Sequence, residues 1–145
     1  MNYTIKKTSW KEDKQALSQI RKNVFIEEQN VPEALEWDEF DDKCIHILIT
    51  QNTSPVACGR IKPDGHIGRM AVLKEHRRAG IGTAILNELL ESAKQNKNTK
   101  VYLHAQTSAI AFYEKLGFNI SSEEFMDANI PHRTMEKRLN STTMK

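Results

Sequence analysis

The sequence predicts an α/β fold: a mixed, mostly antiparallel sheet of six to seven strands flanked by about four helices. Three observations predict it. Short β-branched and apolar runs, broken by turn residues, fill the middle of the chain at 44–51, 56–61 and 66–73. From Gly80 the apolar period becomes that of a helix with a broad buried face. A further β run at 101–105 follows that helix, so one strand–helix–strand crossover sits inside a hairpin-connected sheet.

The elements follow in order. Residues 3–8 alternate and read as a first strand. Ser9 is placed to cap a helix, with Glu12 completing a capping box. Leu17, Ile20 and Val24 then recur at helical spacing beside Ala16 and Phe25. That helix must fail by Val31, because Pro32 disfavours helical geometry in the residue before it. Residues 33–42 are acidic, contain Trp37 and Phe40, and read as a short helix or loop whose charge either attracts a cationic acceptor or, as such runs more often do, forms a solvated face. The runs 44–51, 56–61 and 66–73 form an antiparallel meander, with turns at 52–55 and at Pro63-Asp64-Gly65. Ile81, Ala84, Ile85, Leu86, Leu89, Leu90 and Ala93 mark the long helix, whose end at 94–100 is basic. After the 101–105 strand, Ser108 is placed to cap a helix carrying Ala109, Phe112, Tyr113 and Leu116 on one face, and Gly117 closes it. Two last strands are expected at 118–124 and 134–139. Residues 1–140 are therefore expected to form one domain, with 141–145 as a polar tail.

Bulk properties narrow the function. A chain of 145 residues suits one core. Its net charge is only +2, which argues against a nucleic-acid partner. The start of the chain lacks the apolar stretch of a signal peptide, and the longest apolar run, around 45–49, is too short to span a bilayer. Cys44 and Cys58 form no CxxC motif and read as reduced thiols, so a cytoplasmic location is expected, with no membrane partner. Cys44 and His46 share a strand face, but without two more ligands at suitable spacing no metal is expected.

The stretch His76-Arg77-Arg78-Ala79-Gly80-Ile81-Gly82-Thr83 is the most specific local signal. It lies between a strand and a helix N-terminus, where backbone N–H groups are unpaired and the dipole is positive. An anion, above all a phosphate, is the natural partner of such a terminus. Gly80 and Gly82 remove side chains that would hold a pyrophosphate away, and Arg77 and Arg78 add charge, with Lys74 and His76 beside them. Neither the P-loop pattern nor the dinucleotide G-x-G-x-x-G pattern is present. The plain alternative is a solvated basic turn.

Arg77-Arg78-Ala79-Gly80-Ile81-Gly82 resembles the R/Q-x-x-G-x-G/A signature of the GNAT superfamily of acetyl-CoA-dependent N-acetyltransferases. Ala109-Ile110-Ala111-Phe112-Tyr113-Glu114-Lys115-Leu116-Gly117-Phe118 is similar to that family's second signature, in the same order and spacing. The segments VFIEEQNVP, EWDEFDD and DANIPH further resemble the small bacterial ElaA-like subgroup.

The resemblance implies a GNAT, or acyl-CoA N-acyltransferase, fold with two strands splayed at the cofactor site. It implies acetyl-CoA as cosubstrate, with CoA released. The backbone of Met70, Ala71 and Val72 would pair with the pantetheine arm, and the backbone of Arg77, Arg78, Ala79, Gly80, Ile81, Gly82 and Thr83 would hold the pyrophosphate. Gln106 stands where the family often has Asn contacting the cofactor. Tyr113 would be the general acid: a departing thiolate, reference pKa near ~8.5, can take a proton from a tyrosine near ~10. Without the resemblance, Tyr113 reads as a packed core aromatic.

The acceptor is expected to be a small-molecule amine or a protein amino group. Glu28, His104 and His132 are open candidates for the base or for substrate contact. Family analogy also raises a homodimer. The alternatives are an acyl-CoA-binding sensor of the same fold and, more remotely, a nucleotide-binding regulatory domain.

Overall fold

The computed structural model describes residues 3–139. The tail expected at 141–145 lies outside them. The order is β1 (Tyr3–Thr8), α1 (Trp10–Arg21), a π-helical continuation (Lys22–Glu28), α2 (Glu33–Glu36), β2 (Ile45–Gln51), β3 (Ser54–Ile61), β4 (His66–Val72), α3 (Ile81–Gln95), β5 (Lys100–Gln106), α4 (Ile110–Lys115), β6 (Asn119–Ile120), β7 (Phe125–Asp127) and β8 (Ile130–Arg138). These eight strands form one sheet in the order β1-β2-β3-β4-β5-β8-β6, with β7 also on β8. Only β4 and β5 run parallel, joined through α3; every other pair is antiparallel.

Strand alternation divides the core between the two faces of the sheet. Ile47, Ile49, Ala57, Ile67, Leu103 and Met135 pack with Ile85, Leu86, Leu89 and Ala93 of α3. Leu48, Cys58 and Ala71 point the other way, onto Leu17 and Ile20 of α1 and Val24 beyond it. Ser9 caps α1 as its position predicts, its Oγ accepting from Glu12 N at 3.2 Å.

Two local readings are corrected. Ser108 does not cap α4: β5 leads into a 3₁₀ turn at Thr107–Ala109, so the helix starts at Ile110 and its cap position falls on Ala109. The strand expected at 118–124 shrinks to Asn119–Ile120, and Phe125–Asp127 pairs with a β8 that starts at Ile130. The cause is a tight hairpin at Ala128-Asn129, both at positive φ (52° and 64°), as a two-residue primed turn requires. The sheet thus gains an eighth strand.

Gly117 does end α4, at φ 94°. Gly117 N–H donates to Glu114 O and Phe118 N–H to Tyr113 O, both at 3.1 Å, a Schellman closure that fixes the turn carrying Tyr113.

Gly65 is demanded more strictly. It sits at φ 97°, and a Cβ there would meet Lys100 O at 2.6 Å, against the strand that β4 must join. Gly65→Ala combines a left-handed backbone with a backbone clash, so a loss of about 1–3 kcal/mol is expected, read as a fall in melting temperature. An unchanged melting temperature would show that this turn relaxes freely.

Candidate active site

β4 and β5 pair only through His66–Tyr102 and Ile67–Leu103. Beyond that point β4 stays with β3 while β5 stays with β8, so the two parallel strands part. The β3–β4 ladder is interrupted between Cys58 and Arg60, opposite Arg69, which adopts φ 50°. Into the gap opens a cleft of about 410 Å³. Met70, Gln106, Tyr113, His104 and His132 all line it.

The glycine loop lies beyond the C-terminal end of β4. Arg78 and Gly80 both adopt left-handed backbone, φ 68° and 78°. Among the described residues, the N–H groups of residues 78–83 have no protein acceptor, while Ala84 N–H closes the first helical bond to Gly80 O. A Cβ on Gly80 would touch nothing within 4 Å, so the approach to these amides is open. A row of unpaired amides at the start of a 15-residue helix fits a phosphate-bearing group.

The side chains of the loop divide the work differently from the sequence reading. Arg77 does not project a free charge: its Nη1 and Nη2 each donate to Glu28 at 2.7 Å, and its Nε donates to Val72 O at 2.9 Å. That pair also removes Glu28 from the cleft. The Arg77 guanidinium holds the Glu28 carboxyl below its ordinary range, which makes it a poor proton acceptor. Arg78 forms no ion pair among the described residues and is the loop's free cation. His76 Nδ1 lies 2.9 Å from the Tyr3 hydroxyl.

Tyr113 projects from α4 into the cleft. Among the described residues its one polar contact is a long one, hydroxyl to Met70 Sδ at 3.8 Å. Burial pushes its pKa up to about 12, so it holds its proton across the working range. Opposite it, His132 pairs across β5–β8 with Gln106, and His104 with Thr134. His132 Nδ1 lies 2.6 Å from Ile130 O. A carbonyl only accepts, so Nδ1 carries a proton, and in the neutral ring the lone pair is on Nε2. His104 Nδ1 lies 3.0 Å from the Thr134 hydroxyl, which fixes neither tautomer. The Gln106 amide donates to Gln29 Oε1 at 3.0 Å, joining the end of β5 to the end of the π-helical segment.

Sequence reading missed several cleft residues: Gln29, Lys62, His66, Arg69 and Asp127. It also read residues 33–42 as a solvated acidic face, and that reading is corrected. Glu36 and Asp41 are buried, and with Asp38 they bind Arg21, Arg60 and Arg69 at 2.6–3.3 Å. Three arginines embedded in apolar runs were the available signal, since a buried cation requires an acidic partner. Both cysteines are free and buried, and burial raises the Cys58 thiol to about 12, which leaves it inert. Among the described residues no group of three His, Cys, Asp or Glu side chains is placed to hold a metal ion, and no helix is long and apolar enough to cross a membrane.

His66 supplies a pH prediction. Burial, then His104, push its pKa down to about 4. The unfolded chain therefore binds more protons between the ordinary histidine value and about 4, and stability falls as pH drops through that window. Melting curves from pH 7 to 4 should show this fall, and His66→Gln should make it shallower. An equal slope in both proteins would contradict the assignment.

A splayed parallel pair, an open amide row at a helix start and a half-buried tyrosine lining the cleft define an acyltransferase-type α/β architecture. The chain belongs to the GNAT acetyltransferases: residues 11–139 match the Acetyltransferase (GNAT) domain. It is 43% identical to protein YyaT of Bacillus subtilis (strain 168) over 94% of this chain and 96% of that one. It is 33% identical to protein ElaA of Escherichia coli (strain K12) over 86% of each. The crystal structure of Escherichia coli ElaA superimposes with a TM-score of 0.84 over 94% of this chain and 99% of that one, at 29% identity. That of an acyl-CoA N-acyltransferase from Pseudomonas aeruginosa gives 0.81, at 30% identity over 94% of this chain and 98% of that one. The fold is that of the acyl-CoA N-acyltransferases.

Proposed function

We propose that this protein transfers an acetyl group from acetyl-CoA to a primary amine, by direct attack in a ternary complex. The observation that carries the reading is the conjunction of the unpaired amides at 78–83 with a cleft into which Tyr113 projects. The donor supplies an acyl thioester; everything else is asked of the chain's own residues.

The 78–83 amides hold the pyrophosphate, with Arg78 adding charge. The Met70–Val72 backbone, at the edge of the splay, takes the pantetheine amides, as an edge strand takes an extended peptide. Ala71 is paired with Cys58 of β3 and Val72 O already accepts from Arg77, so the Met70 backbone and the Val72 N–H are left for this role. Gln106 closes the far side of the arm. An incoming ammonium must lose a proton before it attacks; the His132 Nε2 lone pair accepts it, with His104 two positions along the β5–β8 ladder. Tyr113, protonated before the attack, gives its proton to the sulfur as the C–S bond breaks and regains one from the positively charged nitrogen of the new amide.

Thiol release from acetyl-CoA across a panel of primary amines tests the reading. Amine-dependent release is expected. Binding of CoA without release for any amine would instead support an acyl-CoA-binding module.

A further inference from the structure

The end of the cleft away from Tyr113 carries its own chemistry. Two carboxylates of the acidic segment line it, and both are consumed: Glu36 by Arg21 and Arg69, Asp38 by Arg60 and Arg69. Lys62 has no such partner. Among the described residues no carboxylate lies within 4 Å of its ammonium, which rests 3.9 Å from the centre of the Phe40 ring. Arg69 is clamped through Nε and Nη2 to Glu36, Leu35 and Asp38, and its Nη1 has no partner among the described residues. Its backbone is held at φ 50° in the middle of a strand, a strained conformation for arginine. The one cleft carboxylate without an ion pair among the described residues is Asp127, exposed at the β7–β8 hairpin.

Lys62 lies just past the end of β3, and Arg69 lies within β4. Lys62 N–H donates to His66 O at 2.9 Å, and Arg69 follows His66 by three residues, about 10 Å along β4. Two long side chains can close that separation. Arg69 in turn adjoins Met70, whose sulfur the Tyr113 hydroxyl approaches at 3.8 Å. A guanidinium edge and an ammonium without counter-ions form the natural receptor for an anion. A polycation would meet carboxylates already paired with arginines, beside the Lys62 ammonium and the open Nη1 edge of Arg69.

We infer that the acceptor amine also carries an anionic group, a carboxylate or a phosphate, which docks on Lys62 and Arg69 Nη1, and that polyamines are discriminated against. This rests on the acyl-transfer reading above.

Calorimetry on the full chain, first saturated with CoA, tests it. The probes are ω-amino carboxylates, ω-aminoalkyl phosphates and diamines of matched length, roughly three to six carbons. At least one anionic series should bind about tenfold or more tightly than the matched diamines. Lys62→Met and Arg69→Gln should each erase most of that ratio, with Arg69→Lys replacing the latter if it does not fold. Whether carboxylate or phosphate wins identifies the anion. Diamines binding equally well, no anionic probe binding, or a ratio that survives both substitutions overturns the inference. The CoA titration reports separately on the acyl-transfer reading; if it gives no heat, the same probes run on the unliganded chain still decide between anion and polycation.

Discussion

Arg21→Met is expected to lower the unfolding free energy by about 3–5 kcal/mol, the usual consequence of removing one partner from a buried ion network. Arg21 is 1% exposed and lies between the rings of Trp10 and Trp37, its guanidinium carbon 5.2 and 5.1 Å from their centres. Its Nε donates to Glu36 Oε2 and its Nη1 to Asp41 Oδ1, both at 2.8 Å, and its Nη2 donates to Glu36 O at 3.0 Å. Methionine fills much of the volume but leaves two buried carboxylates short of a cation. Arg69 still reaches Glu36 and Arg60 still reaches Asp41, which places the loss toward the lower end of the range. For a domain of this size the melting temperature should fall by about 10 °C. A shift of one or two degrees would mean that Arg60 and Arg69 alone satisfy the acidic segment.

Tyr113→Phe is expected to reduce kcat by about 10²–10⁴-fold, the contribution typical of a positioned general acid. The affinity for acetyl-CoA should stay within a factor of about two or three, since the phenol oxygen is not part of the amide row that holds the phosphates. Stability should barely change, because the hydroxyl's recorded polar contact is the 3.8 Å approach to Met70 Sδ and its loss orphans no partner. The separation of turnover from binding and stability is what makes the substitution informative. Unaltered kcat would return Tyr113 to the role of a packed aromatic, beside Phe112 and Phe118.

Elements with a local cause were legible in the sequence. The Ser9 cap, the Gly117 closure and the period change at Gly80 each follow from interactions within a few residues, and each appears where expected. The β-branched runs fixed the meander. The β7–β8 hairpin was not legible, because Ala128 carries no turn signal despite its positive φ. In the cleft, two motifs of known order pointed to Tyr113 and to the 78–83 amides. The partners that redefine the site were hidden because they are distant in the chain. Arg77 meets Glu28 across 49 residues, and Gln106 meets Gln29 across 77. No local pattern encodes such pairings. The acidic segment misled for the same reason: its charge density looks solvated until three distant arginines are brought under it.

The account depends on the free amides of 78–83 and the edge of β4 gripping one CoA molecule. Backbone amide NMR shifts of the labelled protein, recorded while CoA is added, test this most directly. The amides of residues 78–83 and of Met70, Ala71 and Val72 should move together and saturate at one equivalent. Saturable shifts confined to another surface, or none at millimolar CoA, would contradict it.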